Sequence, residues 1–280
     1  MKVSEIISAI GEQDPEIYER LSSRRRAMSG FVGFGKKLAL TSVPFFLGSV
    51  LQKAYGQSTG TLVVDTLNFA LTLEYLEYRF YNTALGSSGL IPSGPANAAI
   101  TTIRDHELAH VNFLKTAITA AGGTPVSEPT FDLTGGNGSG NGPFKDAFSN
   151  YQVFLAVAQT LEDTGVRAYK GQAGNLISND TVLTAALNIH SVEARHASHI
   201  RQMRKANGFD ANIKPWITGK DTEGVAGVDA SYAGEENTTQ ADVSIINIGG
   251  QTISASAASE AFDEPLTKEQ ILLIVDPFLA

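Results

Sequence analysis

Glutamate and histidine residues recur at fixed spacings in two parts of this 280-residue chain. Glu107 and His110 form one Glu-x-x-His pair, and Glu193 and His196 form a second. Sixteen glutamates and five histidines in a chain of this length would give about 0.3 such pairs by chance. Two pairs therefore exceed what composition explains. In a helix, each pair places a carboxylate and an imidazole on one face.

A further glutamate precedes each pair by about thirty residues. Glu74 precedes Glu107 by 33 positions, and Glu162 precedes Glu193 by 31. An arginine and a tyrosine also follow Glu74 and Glu162 at identical offsets of five and seven. These residues are Arg79, Tyr81, Arg167 and Tyr169. The residues able to do chemistry therefore lie on an internal repeat.

The repeated unit supplies four carboxylates and two imidazoles, which predicts a site for two divalent first-row metal ions. The predicted metal ligands are Glu74, Glu107, His110, Glu162, Glu193 and His196. Glu107 and Glu193 are predicted to bridge the ions and to be the catalytic residues. Two iron ions are expected, with manganese as the alternative, and open positions on the ions would admit oxygen or hydrogen peroxide.

Solvated surface glutamates are the alternative interpretation of the same positions. Against it, each of the four glutamates lies beside the apolar stripe of its segment. The apolar neighbours are Leu73, Ile103, Leu161 and Ile189. Four carboxylates in a protein core are very costly unless a cation compensates them, so the pattern favours metal binding.

Helical periodicity predicts the elements that position these residues. Apolar residues at helical spacing cover 61–85, 96–121, 144–170 and 181–207, with Gly-rich breaks between them. The second break, 122–143, is rich in Gly, Pro, Asn and Ser and is predicted to be a loop. The prediction is an all-α four-helix bundle with one long crossover, in which each half is an antiparallel helical hairpin.

Four segments resemble the ferritin-like proteins related to bacterial and plant desiccation-related proteins. They are LTLEYLE at 71–77, the two Glu-x-x-His pairs, and AFDEPLT at 261–267. The resemblance covers about residues 57–280, and all six predicted ligand positions match it. It implies a ferritin-like fold with a di-metal centre, usually di-iron, and redox chemistry with oxygen or peroxide.

The net charge of −8 is unevenly distributed, with +3 in residues 1–56 and −11 in the remainder. Arg24-Arg25-Arg26 precedes an uncharged apolar run at 38–51, which is short for a membrane span but suits a signal-peptide core. The segment resembles a twin-arginine signal, cleaved near Gly56. We therefore expect the twin-arginine export machinery as a partner and a periplasmic or secreted location. A buried N-terminal helix and a retained membrane anchor are the alternatives.

The predicted organisation is an export leader at 1–56, a ferritin-like bundle at 57–208 and a mixed C-terminal extension at 209–280. Within the extension, residues 243–248 predict a short strand. Thr267 is predicted to cap a short amphipathic helix that ends at Phe278. That helix would pack on the bundle or on a partner subunit of a homo-oligomer.

Composition excludes several other functions. The chain has no cysteine, which removes disulfides, thiolate metal sites and a cysteine nucleophile. Its acidic balance argues against nucleic-acid binding. The expected function is oxygen- or peroxide-linked redox chemistry in stress protection, such as iron oxidation or peroxide removal. Manganese catalase-like peroxide dismutation and a non-enzymatic structural role with a stabilising metal are the alternatives.

Neighbouring residues give weaker signals. Glu77 follows Glu74 by one turn and is a candidate additional ligand, but Gly165 occupies its equivalent in the second half. Tyr81 and Tyr169 are expected as core tyrosines, with a hydrogen bond to a ligand as the alternative. Surface or interhelical ion pairs are expected for Arg79 and Arg167. Helix-surface positions are expected for His106, His190 and His199, the last being a weak candidate ligand.

Overall fold

The computed structural model describes residues 61–280, so the predicted leader lies outside the described residues. Four long helices dominate this part: α1 (Thr61–Gly86), α2 (Pro95–Ala120), α3 (Tyr151–Gln172) and α4 (Asp180–Ala206). Helix α1 packs along α2, and α3 packs along α4. Contacts of α1 with α3 and of α2 with α4 join the two hairpins. The prediction of an all-α bundle with a long crossover between α2 and α3 is confirmed.

Capping residues set where the long helices begin and end. Helix α2 begins after Gly94, whose φ of 89° lies in the left-handed region, and Pro95 occupies its first turn. It ends just before Gly122, whose φ of 78° also suits glycine. At the start of α4 the side chain of Asn179 accepts a hydrogen bond of 3.1 Å from the backbone N–H of Val182.

Helix α3 begins later than its apolar spacing predicts. The pattern starts at residue 144, but the helix starts at Tyr151, because Asn150 is extended and its side chain caps the first turn. Phe144 and Ala147 are nonetheless buried. Their spacing therefore reflects turns that pack against the core, and the prediction of helix over 144–150 was wrong.

Two hydrophobic clusters fill the bundle. One uses the second half of α1, the first half of α2, most of α3 and the end of α4, together with the C-terminal extension. The other uses the first half of α1, the second half of α2, the end of α3 and the start of α4. The predicted metal ligands come from the middle of the helices, between these two clusters. Within residues 61–280 no helix has the length and apolar character needed to cross a membrane.

After α4 the chain forms a series of short elements, and the last helix among them packs on α3. They are β1 (Thr239–Gln240), β2 (Val243–Ser244), α5 (Ala255–Ser259) and α6 (Lys268–Val275), with 3₁₀ turns between them and at the end. The antiparallel pair β1–β2 covers only the first two residues of the predicted strand, because Asn247 turns the chain with a φ of 55°. Thr267 caps α6 in a capping box with Gln270, as predicted.

Candidate metal centre

The middle of each long helix contributes to one buried polar cluster. Its members are Glu74 on α1, Glu107 and His110 on α2, Glu162 on α3, and Glu193 and His196 on α4. None of the four glutamates exposes any surface, and the two histidines are 9 % and 5 % exposed. The structure therefore brings all six predicted ligands together. The surface-glutamate interpretation is wrong for all four carboxylates.

One group of side chains surrounds His110. Its Nδ1 atom lies 3.1 Å from Glu74 Oε2, 3.0 Å from Glu107 Oε2 and 3.1 Å from Glu193 Oε1. One nitrogen thus faces three carboxylates from three different helices. Together the four residues offer atoms close enough to hold one metal ion.

A second group surrounds His196. Its Nδ1 atom lies 2.9 Å from Glu107 Oε1, 3.3 Å from Glu162 Oε2 and 3.3 Å from Glu193 Oε2. These four residues form another set able to hold an ion. Glu107 and Glu193 occur in both groups, each with one oxygen toward His110 and the other toward His196. This is the arrangement expected of carboxylates that bridge two ions.

The hydrogen-bonding state of the cluster fits a metal site. Among the described residues, five of its atoms have no hydrogen-bond partner: Glu107 Oε1, Glu162 Oε2, both oxygens of Glu193, and His196 Nδ1. They approach one another closely, but their angles do not suit hydrogen bonds. An orphaned buried polar group costs about 1–3 kcal/mol, and more if charged. Cations between these atoms would remove that cost, so the donor set fits metal ions.

Burial and interactions with neighbouring charges shift the pKa values of the carboxylates in the cluster. Burial first, and the charge of Glu193 second, raise the pKa of Glu107 well above its usual value. Burial also raises the pKa of Glu162, to about 7. For Glu193, burial is outweighed by the close approach of the His110 and His196 rings and by their positive charge, so its pKa falls to about 2. Several ionised carboxylates at this buried site would repel one another, and bound metal ions would offset that repulsion.

The two imidazoles respond in the opposite direction. Burial alone would lower the pKa of His110, but the charge of Glu74 and hydrogen bonds to the carboxylates raise it far above its usual value. Burial would likewise lower the pKa of His196, but the charge of Glu162 and contacts with the carboxylates raise it. The carboxylates therefore favour the charged form of both histidines. Their protons must leave when a metal ion binds.

Two tyrosines connect the halves of the bundle reciprocally. Tyr81 on α1 donates a hydrogen bond of 2.5 Å to Glu162 on α3. Tyr169 on α3 donates one to Glu74 on α1. The sequence places each tyrosine two turns after its own glutamate, but each one binds the glutamate of the other half. Both tyrosines are buried in the core, as expected, and each also makes the hydrogen bond to a predicted ligand that was the alternative.

Glu77 is a fifth buried carboxylate beside the cluster, only 4 % exposed. It belongs to neither group of atoms able to hold an ion. A Cβ added at Gly165 would lie 2.9 Å from Glu77 Oε1 and 3.8 Å from Glu193 Cγ. The missing side chain of Gly165 therefore makes room for Glu77. Burial first, then the charge of Glu193, raises the pKa of Glu77 well above its usual value.

His106 contacts the outer side of the cluster, a role that the sequence did not indicate. Its Nδ1 lies 2.9 Å from His196 Nε2, and the two rings stack with centroids 5.2 Å apart. This contact holds the ring of His196 with Nδ1 toward the carboxylates. His106 is itself exposed, as predicted, and so is His199. The equivalent of His106 on α4 is Val192, so the repeat gave no signal for this contact.

Next to the cluster, Arg167 is fully buried under the C-terminal extension. It pairs with Glu235 at 2.8 Å and donates hydrogen bonds to the backbone oxygens of Ser231 and Ala233 at 2.5 and 2.6 Å. The expectation of a surface or interhelical ion pair was wrong for Arg167. It was right for Arg79, which forms a half-exposed pair with Glu128.

A second buried ion pair ties α3 and α4 to the extension. Asp163, directly after Glu162, pairs with Arg201 at 2.5 Å and accepts a hydrogen bond of 2.8 Å from Tyr232. Arg201 also pairs with Glu223 at 2.5 Å. The extension therefore supplies charged partners to the outer faces of both helices of the second hairpin. No spacing in the sequence indicated these partners.

Four antiparallel helices around a buried cluster of four carboxylates and two imidazoles define a helical bundle with a candidate metal site. A family model described as a ferritin-like domain matches residues 62–206, which is more than half of the chain. The chain therefore belongs to the ferritin-like domain family. No curated protein matches the chain.

Proposed function

We propose that this protein binds two metal ions, iron in the first instance, and uses them to reduce oxygen or hydrogen peroxide. The observation that carries the proposal is the pair of overlapping four-residue groups that share Glu107 and Glu193. Carboxylates and imidazoles together suit iron and manganese. The physiological outcome would be iron oxidation or peroxide removal during stress.

When bound, the ions would supply two electrons, which with two protons convert one hydrogen peroxide into two water molecules as each ion passes from the +2 to the +3 state. The protein positions the oxygen atoms that would bind the ions. Glu107 and Glu193 each direct one oxygen to the group around His110 and the other oxygen to the group around His196. Tyr81 and Tyr169 donate hydrogen bonds to Glu162 and Glu74, the two carboxylates that belong to one group each. These restraints favour a fixed separation of the two ions while their charge changes.

Metal content and the optical spectrum test the proposal. Purified protein reconstituted with ferrous iron under anaerobic conditions should hold two ions per chain and develop an absorption change when oxygen or peroxide is added. His196→Ala should reduce the iron content. The matched variant His199→Ala, which removes an exposed histidine from the same helix, should retain two ions. Protein that holds no stoichiometric iron or manganese after reconstitution would overturn the proposal.

Manganese catalase-like dismutation is the second candidate, because the same oxygen-rich donor set also suits manganese. Oxygen evolution from peroxide by manganese-loaded but not iron-loaded protein would favour it. A third outcome is a structural role, in which removing the metal lowers the melting temperature and neither loaded form reacts with oxygen or peroxide.

We also propose that the protein is exported by the twin-arginine machinery and acts in the periplasm or outside the cell. The proposal rests on the arginine run Arg24-Arg25-Arg26 and the apolar segment at 38–51. Replacing Arg24, Arg25 and Arg26 together by Lys should retain the protein in the cytoplasm. Correct export of that triple variant would contradict this route.

A further inference from the structure

A small cavity lies among the four helices, next to the cluster. Its volume is about 20 Å³. It is lined by the beginnings of α1 and α4 and the ends of α2 and α3, and it is partly open to solvent. Six of the apolar side chains that line it are Leu67, Leu73, Leu114, Ala168, Ala186 and Ile189. The cavity therefore belongs to the hydrophobic end of the bundle that adjoins the metal ligands.

The lining offers little to a water molecule. Three polar side chains contribute to it, and each is engaged with the protein. Thr66 donates to the backbone oxygen of Leu62, Tyr169 donates to Glu74, and Gln172 accepts from Asn175. A buried water needs two to four polar partners, and cavities without them stay dry. The preferred occupant is therefore apolar.

The volume restricts that occupant to a very small molecule. About 10–15 Å³ accommodates one water-sized molecule, whereas a cavity of about 150 Å³ is known to accept benzene. The cavity here is near the lower figure, which excludes aromatic rings and alkyl chains. Dioxygen is both apolar and small enough. Hydrogen peroxide is comparable in size, but its two hydroxyl groups would find no partners here.

The cavity is separated from the candidate metal centre by a single layer of side chains. The Tyr169 side chain lines it and donates its hydroxyl hydrogen to Glu74. Leu73 directly precedes Glu74, and Ile189 lies one turn before Glu193. Ala70 and Phe113, which also line the cavity, are only partly buried and mark the side nearest to solvent.

We propose that this cavity is a binding site for dioxygen, which it delivers past Tyr169 to the metal centre. The delivery part rests on the proposed function, whereas the binding part does not. Hydrogen peroxide would find no polar partners in the cavity and would not be bound there. The cavity would therefore distinguish the two oxidants by their polarity.

Methyl NMR of the metal-free protein under dissolved oxygen tests the binding part, because paramagnetic dioxygen relaxes nearby nuclei over short distances. The methyl groups of Ala168 and Ala186 should relax much faster under oxygen than that of Ala117. Ala117 is as buried as Ala168 and shares a hydrophobic cluster with Ala186, but it does not line the cavity. Equal relaxation of all three methyl groups would overturn the proposal, whether or not the protein binds metal.

A cavity-filling variant tests delivery. Ala186→Val should reduce the oxygen-dependent relaxation at Ala168 to that of Ala117, and it should slow oxidation of the ferrous protein by oxygen severalfold. Oxidation by hydrogen peroxide should be unchanged. Ala117→Val is the matched control, with the same added volume and helix propensity but no effect on either rate. An unchanged oxygen rate in Ala186→Val, or an equal loss with both oxidants, would overturn delivery.

The two proposals fail in different ways. If reconstituted protein holds no metal, the proposed function and the delivery step fail together, and oxygen relaxation in the metal-free protein still decides whether the cavity binds dioxygen. If the protein holds two ions and reacts with oxygen, but Ala168 and Ala186 show no excess relaxation, only the cavity proposal fails.

Discussion

Arg79 on α1 and Arg167 on α3 occupy equivalent positions in the internal repeat, five residues after Glu74 and Glu162. Arg79 lies at the surface, where its side chain is 43 % exposed and pairs with Glu128. Arg167 is fully buried beneath the C-terminal extension. The same residue at the same helical position therefore makes a surface contact in one hairpin and an internal one in the other.

The inner faces of the two hairpins remain alike. Each supplies two glutamates, one histidine and one tyrosine, and each tyrosine binds the terminal glutamate of the other hairpin. Because each tyrosine binds a glutamate of the other hairpin, the residues on the inner face of one hairpin depend on those of the other. The outer faces depend on whichever segment packs there, and acidic residues of the extension pair with arginines of α3 and α4.

The largest expected difference between the halves is in stability. Arg167→Met should lower the free energy of unfolding by about 3–5 kcal/mol, because it leaves Glu235 buried without its cation. Arg79→Met should cost at most about 1 kcal/mol, since exposed ion pairs contribute little. Urea unfolding monitored by circular dichroism measures both. Similar losses for the two variants would contradict the difference in burial between the halves.

Variants of Tyr81 and Tyr169 test whether the inner faces of the two hairpins contribute equally to metal binding. Tyr81→Phe and Tyr169→Phe each remove one hydrogen bond to a terminal carboxylate. Loss of such a contact to a ligand lowers metal affinity about tenfold to hundredfold. Isothermal titration with Mn²⁺ should show similar losses for both variants. A loss confined to one of them would mean that the two ions are held unequally.

The third effect is a pH dependence shared by both halves. Nearby carboxylates raise the pKa of His110 and the pKa of His196, which favours the protonated imidazoles while no metal is bound. Metal binding requires the neutral imidazoles, so lowering the pH should weaken binding. From pH 7 to pH 6 we expect about a tenfold loss of affinity per ion, the result of one displaced proton each. The pKa of Glu162, about 7, adds to this loss as the pH falls.

Proton release can be measured directly. Calorimetric titration in two buffers with different ionisation enthalpies should give at least one proton released per ion. His110→Ala and His196→Ala should each reduce the total by about one proton. Affinity that is constant between pH 6 and pH 7 would show that the histidines are already neutral before metal binds.

The smallest effect concerns a position where the halves differ inside the bundle. Gly165→Ala should cost about 1 kcal/mol, because its Cβ would lie 2.9 Å from Glu77, whose flexible side chain can shift. Glu77→Ala in the same background should recover the loss that arises from the clash. Thermal unfolding of both single variants and the double variant measures this coupling. Strict additivity would show that Glu77 does not depend on the space above Gly165.

Much of the candidate site was predictable because it depends on local periodicity. A Glu-x-x-His spacing fixes which side chains share a helical face, and the repeat indicated that four helices do so together. The start of α3 was not predictable from apolar spacing, since turn residues such as Phe144 and Ala147 also pack into the core. The contact of His106 with His196 was hidden too, because it joins two helices through a residue that has no counterpart in the repeat.

The sequence by itself determined the helical class, the six clustered side chains and their duplication, because each follows from the 3.6-residue period of single helices. Only the tertiary structure decided that Tyr81 and Tyr169 exchange partners, that Arg167 is buried while Arg79 is not, and that an apolar cavity adjoins Tyr169. These features depend on which helices become neighbours and where the extension returns. They arise from contacts between residues as much as 95 positions apart, which no local spacing encodes.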